Sequence, residues 1–570
     1  MPKIVTTDQM RAIEQAADAK NHSYAAMMAL AGRAVADRIK EIIQFVPEPR
    51  VAILVGPGNN GGDGLVAGRL LQEELEAATV GAFLLKPRDE DDEVFTQARD
   101  AGVFIADAEN DAPAGFRALQ NLVGNADVVV DALFGTAVRL PIEGDAAKAL
   151  KAVHKALTVR RAETPRASFT TPADPAIHDG HNAPVIIAVD CPSGLHCDTG
   201  ELDKNALHAD ETITFAAAKP GLLMAPGAEA IGRLHVADIG LPQNLPELGN
   251  ITLTLVDAAE TAARLPKRPM DSHKGTFGKT MVVAGSLNYI GAPFLAANAA
   301  YRVGAGLVTV GAPQIIIPTL AGMLPEATWL LLPHDMGVLN EAAVRVLREE
   351  LNGYAALLIG PGMGHEDVTG EFLRELLGPA EENQRKRAIG FVPAEPSSAA
   401  NETRPALPPL VIDADGLNLL AAQENWPAML PSNTILTPHP GEFARLAGIG
   451  RDEVVANRTR LAQEKAAAWN CTVVLKGAYT VIAAPDGQTA LLPFATSALA
   501  SAGTGDVLAG AITGLLAQGL TPFDAALAGG WLHGMAGIRA ADLLETEASV
   551  MAGDVLELLA DAYALAEQAR

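Results

Sequence analysis

The chain has 570 residues, which predicts more than one domain, and 49% of them are hydrophobic while 19% are charged and 4% aromatic. This composition excludes a disordered or fibrous protein. Lys and Arg number 43 against 68 Asp and Glu, a formal net charge of −25, which argues against binding nucleic acid through a broad basic surface. An anionic ligand must therefore be held locally, by backbone amides or single cations.

Cysteine content and the N-terminal sequence bear on location. Cys191, Cys197 and Cys471 are too few for a disulfide framework and favour a reducing compartment. Charged residues near the start interrupt the apolar run that a signal peptide needs, and the apolar stretches are too short for a membrane span. We expect a cytoplasmic protein that contacts no membrane and assembles as a homo-oligomer.

Short, continuous aliphatic runs recur along the chain, as is typical of parallel strands covered by helices on both faces. In the first half these runs occupy residues 50–56, 126–135, 184–190 and 209–217. The pattern begins again with runs at 279–286, 306–312, 354–364, 409–416, 433–442 and 471–484. The sequence therefore predicts two α/β domains, the first of them doubly wound.

The stretch from Asp257 to His273 breaks this pattern with two prolines and clustered basic residues, and we place the division near residue 250. The predicted domains are residues 1–250 and 251–570. Two segments rich in proline, polar and charged residues, 158–184 and 379–409, are interpreted as mobile surface insertions.

In the first half, polar residues and glycines follow three of the predicted strands. GPGNNGGDG (Gly56–Gly64) precedes a helical segment, so its amides would lie at a helix N-terminus, where anions bind. A tight turn with Asn caps is the structural alternative. Asp131 ends the next strand, and Asp190 and Ser193 follow the third. If the sheet is parallel, these three residues lie at the same edge of it. Oxygens of Asn60, Asp131 and Ser193 could surround a hard monovalent cation.

A zinc site is a further possibility in this half, because Cys191, His196 and Cys197 lie within seven residues. A closed zinc site needs four ligands, and no second Cys/His pair at a familiar spacing accompanies these three. The zinc interpretation is therefore disfavoured.

In the second half, SAGTGDVLAGAITGLLAQG (Ser501–Gly519) carries the most specific signal. Gly503–Asp506 leads into a strongly apolar helix, so the loop amides would form an anion hole at the positive helix end. Asp506, in the first turn, could take a proton from a substrate hydroxyl. A glycine-rich helix start with an acidic N-terminal residue is the structural alternative.

Three further segments point to a ligand site in the second half. Lys476–Thr480 lies between two β runs and could surround a nucleotide, although Lys-Gly also occurs in ordinary hairpins. Gly360–Gly364 ends a buried strand and would let a ligand approach the backbone closely. A single histidine is more often structural, but the position of His439 at another such strand exit favours a functional role.

Together these motifs resemble the family of bifunctional bacterial NAD(P)H-hydrate repair enzymes. The first half is similar to the NAD(P)H-hydrate epimerase domain, and the second half to the ADP-dependent NAD(P)H-hydrate dehydratase domain of the ribokinase-like superfamily. The resemblance covers nearly the whole chain and rests on GNNGGDG, VDALFGT, DCPSG, HKGTFG, YRVGAGLVTV, GPGMG, TPHPGE, KGAYT and AGTGD. It implies a Rossmann-like first domain and a ribokinase-like second domain.

The resemblance implies repair of the R and S hydrates of NADH and NADPH. The first domain would interconvert the two epimers, with K⁺ bound. The second would transfer the β-phosphate of ADP, with Mg²⁺, to the hydroxyl of the S hydrate, and would yield the reduced cofactor, AMP and phosphate.

The resemblance also assigns roles to residues. Contacts to the hydrate in the first domain would be made by Asn59, Asn60, Gly61, Gly62, Asp63, Gly135, Thr136, Ala137, Val138, Arg139, Leu140, Pro141 and Asp190. Asp190 would transfer the proton, and Asn60, Asp131 and Ser193 would coordinate potassium. In the second domain the hydrate would contact Ala292, either Gly362 or Gly364, His439 and the catalytic Asp506. The adenine nucleotide would contact Lys476, Gly477, Ala478, Tyr479, Thr480 and Gly505.

Two other functions fit parts of the sequence. A ribokinase-like kinase for a vitamin or sugar alcohol, fused to a dinucleotide-binding accessory domain, would also use Gly503–Asp506. The Gly56–Gly64 segment argues against this kinase. A non-catalytic cofactor sensor would have no need of Asp506 beside an anion hole. The sequence does not separate the NADH hydrate from the NADPH hydrate as substrate.

Overall fold

The computed structural model describes residues 2–163, 183–378 and 406–570, which form two compact units, Pro2–Ile251 and Thr252–Arg570. Most of the two predicted insertions, 158–184 and 379–409, lies outside the described residues. One part of that prediction is wrong, because the helix Gly144–Glu163 continues through the start of the first insertion.

The first unit alternates strands and helices. Its strands are β1 (Lys3–Ile4), β2 (Arg50–Val55), β3 (Thr79–Leu84), β4 (Phe104–Asp107), β5 (Val128–Ala132), β6 (Val185–Val189), β7 (Glu211–Phe215), β8 (Ala217–Ala218) and β9 (Arg233–Ala237). Its helices are α1 (Thr7–Asp18), α2 (Tyr24–Ile42), α3 (Asn59–Glu74), α4 (Glu93–Asp100), α5 (Ala108–Asp111), α6 (Arg117–Asn125), α7 (Gly144–Glu163) and α8 (Pro246–Gly249).

A parallel sheet in the order β4-β3-β2-β5-β6-β7-β9 forms the centre of the first unit. Successive residues of β2 point to opposite faces, so Ile53 packs into one apolar core and Leu54 into another. Helices therefore cover both faces of the sheet. This confirms the doubly wound α/β layout, and it explains why the strands read as continuous aliphatic runs. The short strands β3, β4 and β9 were not predicted.

The second unit repeats this architecture with more elements. Its strands are β10 (Leu253–Leu255), β11 (Lys279–Val283), β12 (Leu307–Pro313), β13 (Thr328–Leu332), β14 (His334–Asp335), β15 (Val338–Leu339), β16 (Ala356–Ile359), β17 (Leu410–Ile412), β18 (Thr434–Leu436), β19 (Thr472–Leu475), β20 (Val481–Ala483) and β21 (Thr489–Leu491). Its helices are α9 (Ala258–Arg264), α10 (Gly291–Arg302), α11 (Ile317–Met323), α12 (Ala342–Glu350), α13 (Asp367–Leu377), α14 (Asp415–Ala421), α15 (Pro440–Ala447), α16 (Arg451–Ala456), α17 (Arg458–Trp469), α18 (Thr504–Ala517), α19 (Pro522–Leu544) and α20 (Ala552–Gln568).

The sheet of the second unit runs β13-β12-β11-β16-β17-β18-β19-β20-β21-β10 and is parallel from β13 to β19. β20 pairs antiparallel with both β19 and β21, which confirms two β runs flanking Lys476–Thr480. The predicted break at Asp257–His273 is wrong in its first part. Asp257 caps α9, and Arg264 at its end pairs with Asp524 Oδ1 at 2.8 Å, so this segment belongs to the second unit.

No helix within the described ranges combines the length and the apolar character that crossing a membrane requires.

Candidate active sites

The glycine-rich segment of the first unit follows β2, next to β5, where the strand order of the sheet reverses. Ligands of doubly wound sheets bind at this point, beyond the carboxyl ends of the strands. The predicted loop is shorter than expected, because α3 already begins at Asn59. Only glycine fits at two of its positions. A Cβ at Gly56 would lie 1.8 Å from the carbonyl oxygen of Leu133, and one at Gly61 would lie 2.1 Å from the carbonyl oxygen of Gly56.

The three predicted potassium ligands lie at the carboxyl ends of β2, β5 and β6. Asp131 is fully buried, and Ser193 donates to both of its oxygens, through Oγ at 2.6 Å and through the backbone N–H at 2.7 Å. The side-chain amide of Asn60 is buried, and neither its nitrogen nor its oxygen has a partner among the described residues. Burial raises the pKa of Asp131 to about 6, although the bonds from Ser193 lower it.

The segment after β5 contributes one close neighbour to this group. A Cβ at Gly135 would lie 3.3 Å from the side chain of Asn60, so the backbone of Gly135 lies against this amide. Val138 and Leu140 pack against an apolar core instead, and the side chain of Arg139 is exposed. The predicted hydrate contacts of residues 136–141 stay predictions.

Asp190 directly follows β6 and adopts a left-handed backbone with φ 63°, which residues other than glycine rarely adopt. Its Oδ1 accepts a 2.6 Å hydrogen bond from Lys219 Nζ and a 3.0 Å bond from Thr214 Oγ1. Asp63 and Glu14 complete the charged group. Burial raises the pKa of Asp63, and the carboxylates of Asp190 and Glu14 raise it further. The site therefore pairs one carboxylate with a buried cation and places beside it a carboxyl group whose pKa is raised.

The cysteines and the histidine weighed for zinc have local partners. The Sγ atoms of Cys191 and Cys197 are buried 2.7 Å apart as free thiols. The Nδ1 of His196 accepts 3.3 Å hydrogen bonds from the backbone of Asp198 and Thr199, which closes a turn.

In the second unit, Asp506 is the third residue of α18, as predicted. Gly503 precedes the helix with φ 90°, and the Nε2 of His533 contacts the carbonyl oxygen of Thr504 at 2.8 Å, which holds the first turn in place. Burial and the carboxylate of Asp413 raise the pKa of Asp506 and Lys476 lowers it, and the resulting pKa is about 7. Asp506 therefore changes its charge near neutral pH, as a proton-transfer group must.

Lys476 lies at the end of β19 and pairs with Asp413, which is fully buried beyond β17. Its Nζ is 2.7 Å from Asp413 Oδ1 and 4.0 Å from Glu442 Oε2. A Cβ at Gly505 would lie 3.4 Å from the same Nζ. The ion pair thus lies against the first turn of α18, close to Asp506.

His439 caps α15. Its Nδ1 accepts from the backbone N–H of Gly441 at 3.0 Å and of Glu442 at 3.3 Å. Burial lowers the pKa of His439 and Lys476 lowers it further, which favours a neutral ring. The helix cap therefore uses Nδ1 of His439. Its Nε2 is 3.4 Å from Glu442 Oε1, and the side chain is half exposed.

The two candidate glycines of the Gly360–Gly364 segment differ in their surroundings. A Cβ at Gly362 would lie 2.9 Å from the Cβ of Ala292, so these two predicted residues are neighbours. The N–H of Gly364 instead donates to Asp415 Oδ2 at 2.9 Å. Gly362 is therefore the glycine that lies beside Ala292.

A cavity of about 260 Å³ lies between the β19–β20 hairpin and α18. Five of the six residues predicted to bind the nucleotide line it, namely Lys476, Gly477, Ala478, Thr480 and Gly505. Tyr479 does not, because its backbone N–H bonds to the carbonyl of Phe494 at 2.7 Å and its φ is 50°. The apolar wall of the cavity, which the sequence did not predict, is formed by Leu492, Phe494, Leu499 and Leu508.

Comparison with known proteins places this chain in a family. Residues 280–560 match the family described as NAD(P)H-hydrate dehydratase, and residues 24–221 match the family described as YjeF-related protein N-terminus. A bifunctional NAD(P)H-hydrate repair enzyme Nnr from Moorella thermoacetica is 36% identical over 94% of this chain and 91% of its own length. The chain belongs to this family. The bifunctional NAD(P)H-hydrate repair enzyme Nnr from Salinibacter ruber is 35% identical over 94% of this chain and 91% of its own length.

A solved structure of the ADP/ATP-dependent NAD(P)H-hydrate dehydratase from Bacillus subtilis, co-crystallized with ATP/Mg²⁺, is 30% identical to this chain. The match covers 55% of this chain and 98% of the Bacillus subtilis chain, with a TM-score of 0.43.

Sequence reasoning missed several residues of both sites. Lys219, Thr214 and Glu14 surround Asp190 and Asp63 in the first unit, and Asp413 and Glu442 surround Lys476 in the second. Asp413 lies in a segment that the sequence identified only as a strand. Glu442 lies in a segment that was singled out only for its strand and for His439. Lys219 stands before Pro220 and Gly221, just beyond a predicted strand, and this Lys-Pro-Gly sequence was the available signal.

Proposed function

We propose that this chain repairs hydrated NADH and NADPH. The first unit interconverts the R and S hydrates, and the second dehydrates the S hydrate with ADP to give the reduced cofactor, AMP and phosphate. The observation that carries this proposal is Asp506, with a pKa near 7, in the first turn of α18 beside the nucleotide-sized cavity. Membership of the repair-enzyme family supports it across the whole chain.

The dehydration step begins with a poor leaving group, because hydroxide departs slowly from carbon. Asp506 accepts the proton of the hydrate hydroxyl while that oxygen attacks the β-phosphorus of ADP, and the bond from this phosphorus to the AMP oxygen breaks. Phosphate then leaves with the C–O bonding electrons, and loss of a proton from the neighbouring carbon restores the ring double bond. The N–H groups at the start of α18 stabilise the transferred phosphoryl group.

The cavity provides the place for the nucleotide. Lys476 supplies positive charge at its inner end, next to Gly505, while Leu492, Phe494, Leu499 and Leu508 form an apolar wall suited to the adenine ring. The hydrate would occupy the neighbouring region of Ala292, Gly362 and His439, with Asp506 between the two ligands. We choose Gly362 over Gly364 because it is the neighbour of Ala292.

Mg²⁺ supplies charge neutralisation on the phosphates. Within the described residues, no group of three or more His, Cys, Asp or Glu side chains could hold a metal ion. Asp413 and Glu442, next to Lys476, would be the carboxylates nearest to a magnesium ion that enters with the nucleotide.

In the first unit, the hydrate would lie across the β2–β5 edge. The N–H groups at the start of α3 face its pyrophosphate, and Asp190 lies at the end of the next strand, β6. In epimerisation the hydroxyl of the hydrate must accept a proton so that it can leave as water. When water adds to the other face of the ring, it releases a proton. Asp63, whose pKa burial raises, suits the donor, and the carboxylate of Asp190 suits the acceptor.

Potassium suits the remaining group of this site. The buried amide of Asn60 has an oxygen without a partner among the described residues, and Asp131 and Ser193 add further oxygens. Such an all-oxygen set favours a hard cation. Potassium would neutralise the buried carboxylate of Asp131 and fix the strand ends beside Asp190. Assembly as a homo-oligomer and a cytoplasmic location stay predictions.

Incubation of the purified protein with mixed R and S hydrates, with and without ADP, tests the function. We expect the absorbance of the reduced nicotinamide to return completely with ADP and not without it. A phosphorylated vitamin or sugar alcohol, formed without recovery of this absorbance, would identify the kinase instead. Binding of the hydrates without conversion would identify a sensor.

A further inference from the structure

Lys219 is an almost fully buried lysine in the first unit, with 1% of its side chain exposed. Its Nζ donates to Asp190 Oδ1 at 2.6 Å, to Thr214 Oγ1 at 2.7 Å and to the carbonyl oxygen of Phe215 at 3.4 Å. An ammonium group has three donors, and these three acceptors satisfy them. The lysine is thus held at a fixed point beside the carboxyl end of β6.

The backbone around Lys219 is also fixed. Pro220 follows it and restricts it to the extended conformation, with φ −108° and ψ 146°. The N–H of Gly221 bonds to the carbonyl oxygen of Cys197 at 2.7 Å, and a Cβ at Gly221 would lie 2.4 Å from the carbonyl oxygen of His196. This close packing leaves Lys219 little freedom to move away from Asp190.

The two carboxylate oxygens of Asp190 have different surroundings. Oδ1 accepts from both Lys219 and Thr214, whereas Oδ2 has no hydrogen-bond partner among the described residues. Burial lowers the pKa of the Lys219 ammonium, but the carboxylate of Asp190, together with Cys197 and Cys191, raises it, and the pKa is raised overall. Lys219 therefore stays charged, and Asp190 keeps a permanent counter-charge.

Four other titratable groups face this pair. Burial raises the pKa of Glu14 and of Asp63, and a hydrogen bond with the Cys197 thiol raises the pKa of Cys191. Glu14, Asp63 and Cys191 therefore hold their protons more tightly than usual. Lys219 Nζ has no hydrogen bond to any of the four groups among the described residues.

We propose that Lys219, assisted by Thr214, is a positioning residue of the epimerase site, which holds Oδ1 of Asp190 and directs its free Oδ2 toward the hydrate. The inference rests on the proposed epimerase function. It explains why an aspartate adopts a left-handed backbone at the strand end, because this conformation brings Oδ1 to the lysine and leaves Oδ2 open.

The test compares Lys219→Met and Lys219→Arg with the wild type, using purified R hydrate without ADP and chromatography of both epimers. Lys219→Met is expected to lower kcat about a hundredfold, as a misplaced reacting group does. KM should stay close to the wild-type value, because Lys219 does not contact the substrate. Lys219→Arg should recover part of kcat.

Arg38→Met is the matched control, because it removes another cation of the same unit that pairs with a carboxylate, on a side chain that is 24% exposed. Arg38 donates to both oxygens of Glu211 at 2.6 Å, in a pair without contact to Asp190. We expect it to lower the melting temperature and to leave kcat of epimerisation unchanged. A Lys219→Met protein with wild-type kcat, or a Lys219→Arg protein that recovers none of the lost kcat, would overturn the proposal.

Thr214→Val decides the question if Lys219→Met does not fold, as judged by circular dichroism. It removes one hydrogen bond to Oδ1 and keeps the cation, so kcat should fall about tenfold. Wild-type kcat in this variant would contradict the proposal. A wild-type protein that does not interconvert the epimers at all would instead refute the proposed epimerase, whatever the variants do.

Discussion

Both units place an aspartate that we propose for proton transfer near a lysine paired with a carboxylate, but the lysine has a different partner in each. In the first unit, Lys219 Nζ bonds directly to Asp190 at 2.6 Å. In the second, Lys476 Nζ bonds to Asp413 at 2.7 Å, and Asp506 has no such bond to a lysine among the described residues. The pKa of Asp506 is raised to about 7 by burial and by Asp413.

This difference shows how the same two residue types support two kinds of chemistry. In the first unit the buried ammonium holds the carboxylate in place, which suits a group that must act in both directions of an equilibrium. In the second unit the partly buried carboxyl group of Asp506 gains and loses its proton near neutral pH, which suits a base that acts once in each phosphoryl transfer. Lys476, paired with Asp413 instead of Asp506, would face the phosphates in the proposed function.

Asp506→Asn should have the largest effect on the second unit. We expect dehydration with ADP to fall by about a thousandfold or more, because the proton acceptor is lost, while R and S hydrates still equilibrate. The decrease is measured from the return of reduced-nicotinamide absorbance with the S hydrate as substrate. Substantial remaining dehydration would show that another group takes the proton.

The stability of Asp506→Asn separates chemistry from misfolding. A carboxyl group whose pKa is higher in the folded protein than in the unfolded chain destabilises the fold above the unfolded pKa, increasingly as the pH rises toward the folded value. Removing this group should therefore raise the melting temperature at pH 8 while activity disappears. An inactive variant that melts lower than the wild type would count as misfolded.

Asp190→Asn tests the other side of the comparison. It removes the carboxylate that Lys219 holds, so the R hydrate should accumulate apart from slow spontaneous epimerisation, while the S hydrate is consumed at the wild-type rate. Chromatography of both epimers during dehydration with ADP measures this. Equal consumption of both epimers would place the epimerase site elsewhere.

The nucleotide is expected to change the rate of the second unit by a smaller factor. The transferred phosphorus must reach the N–H groups at the start of α18 while Lys476–Thr480 holds the rest of the nucleotide, so one additional phosphate moves the reacting atom. A displacement of about 1 Å costs roughly a hundredfold in rate. We expect ADP to support faster dehydration than ATP, with AMP as product. Faster turnover with ATP and accumulation of ADP would reverse this assignment.

The sequence predicted the parts of both sites that depend on short segments. GTGD placed Asp506 in the first turn of a helix, and the aliphatic runs predicted parallel strands, because a sheet covered on both faces leaves no polar side to alternate. The lysine partners lie outside such segments. Lys219 is 29 residues from Asp190, and Lys476 is 63 residues from Asp413. Only the order of the strands in the sheet brings these pairs together.

The smallest predicted effect is a change in the pH profile of dehydration. For the free enzyme, kcat/KM should rise with pH and reach half its maximum near pH 7, because Asp506 must lose its proton before it can act. Asp413→Asn removes the charge that raises this pKa, so the midpoint should move to lower pH by about one unit or less. Asp452→Asn, an exposed position on α16, is the control and should leave the midpoint in place.

The prediction concerns the midpoint alone, since Asp413→Asn also releases Lys476 and lowers the maximal rate. A midpoint that stays near pH 7 in Asp413→Asn would mean that burial alone sets the pKa of Asp506, and that the partner of Lys476 has no part in tuning the base.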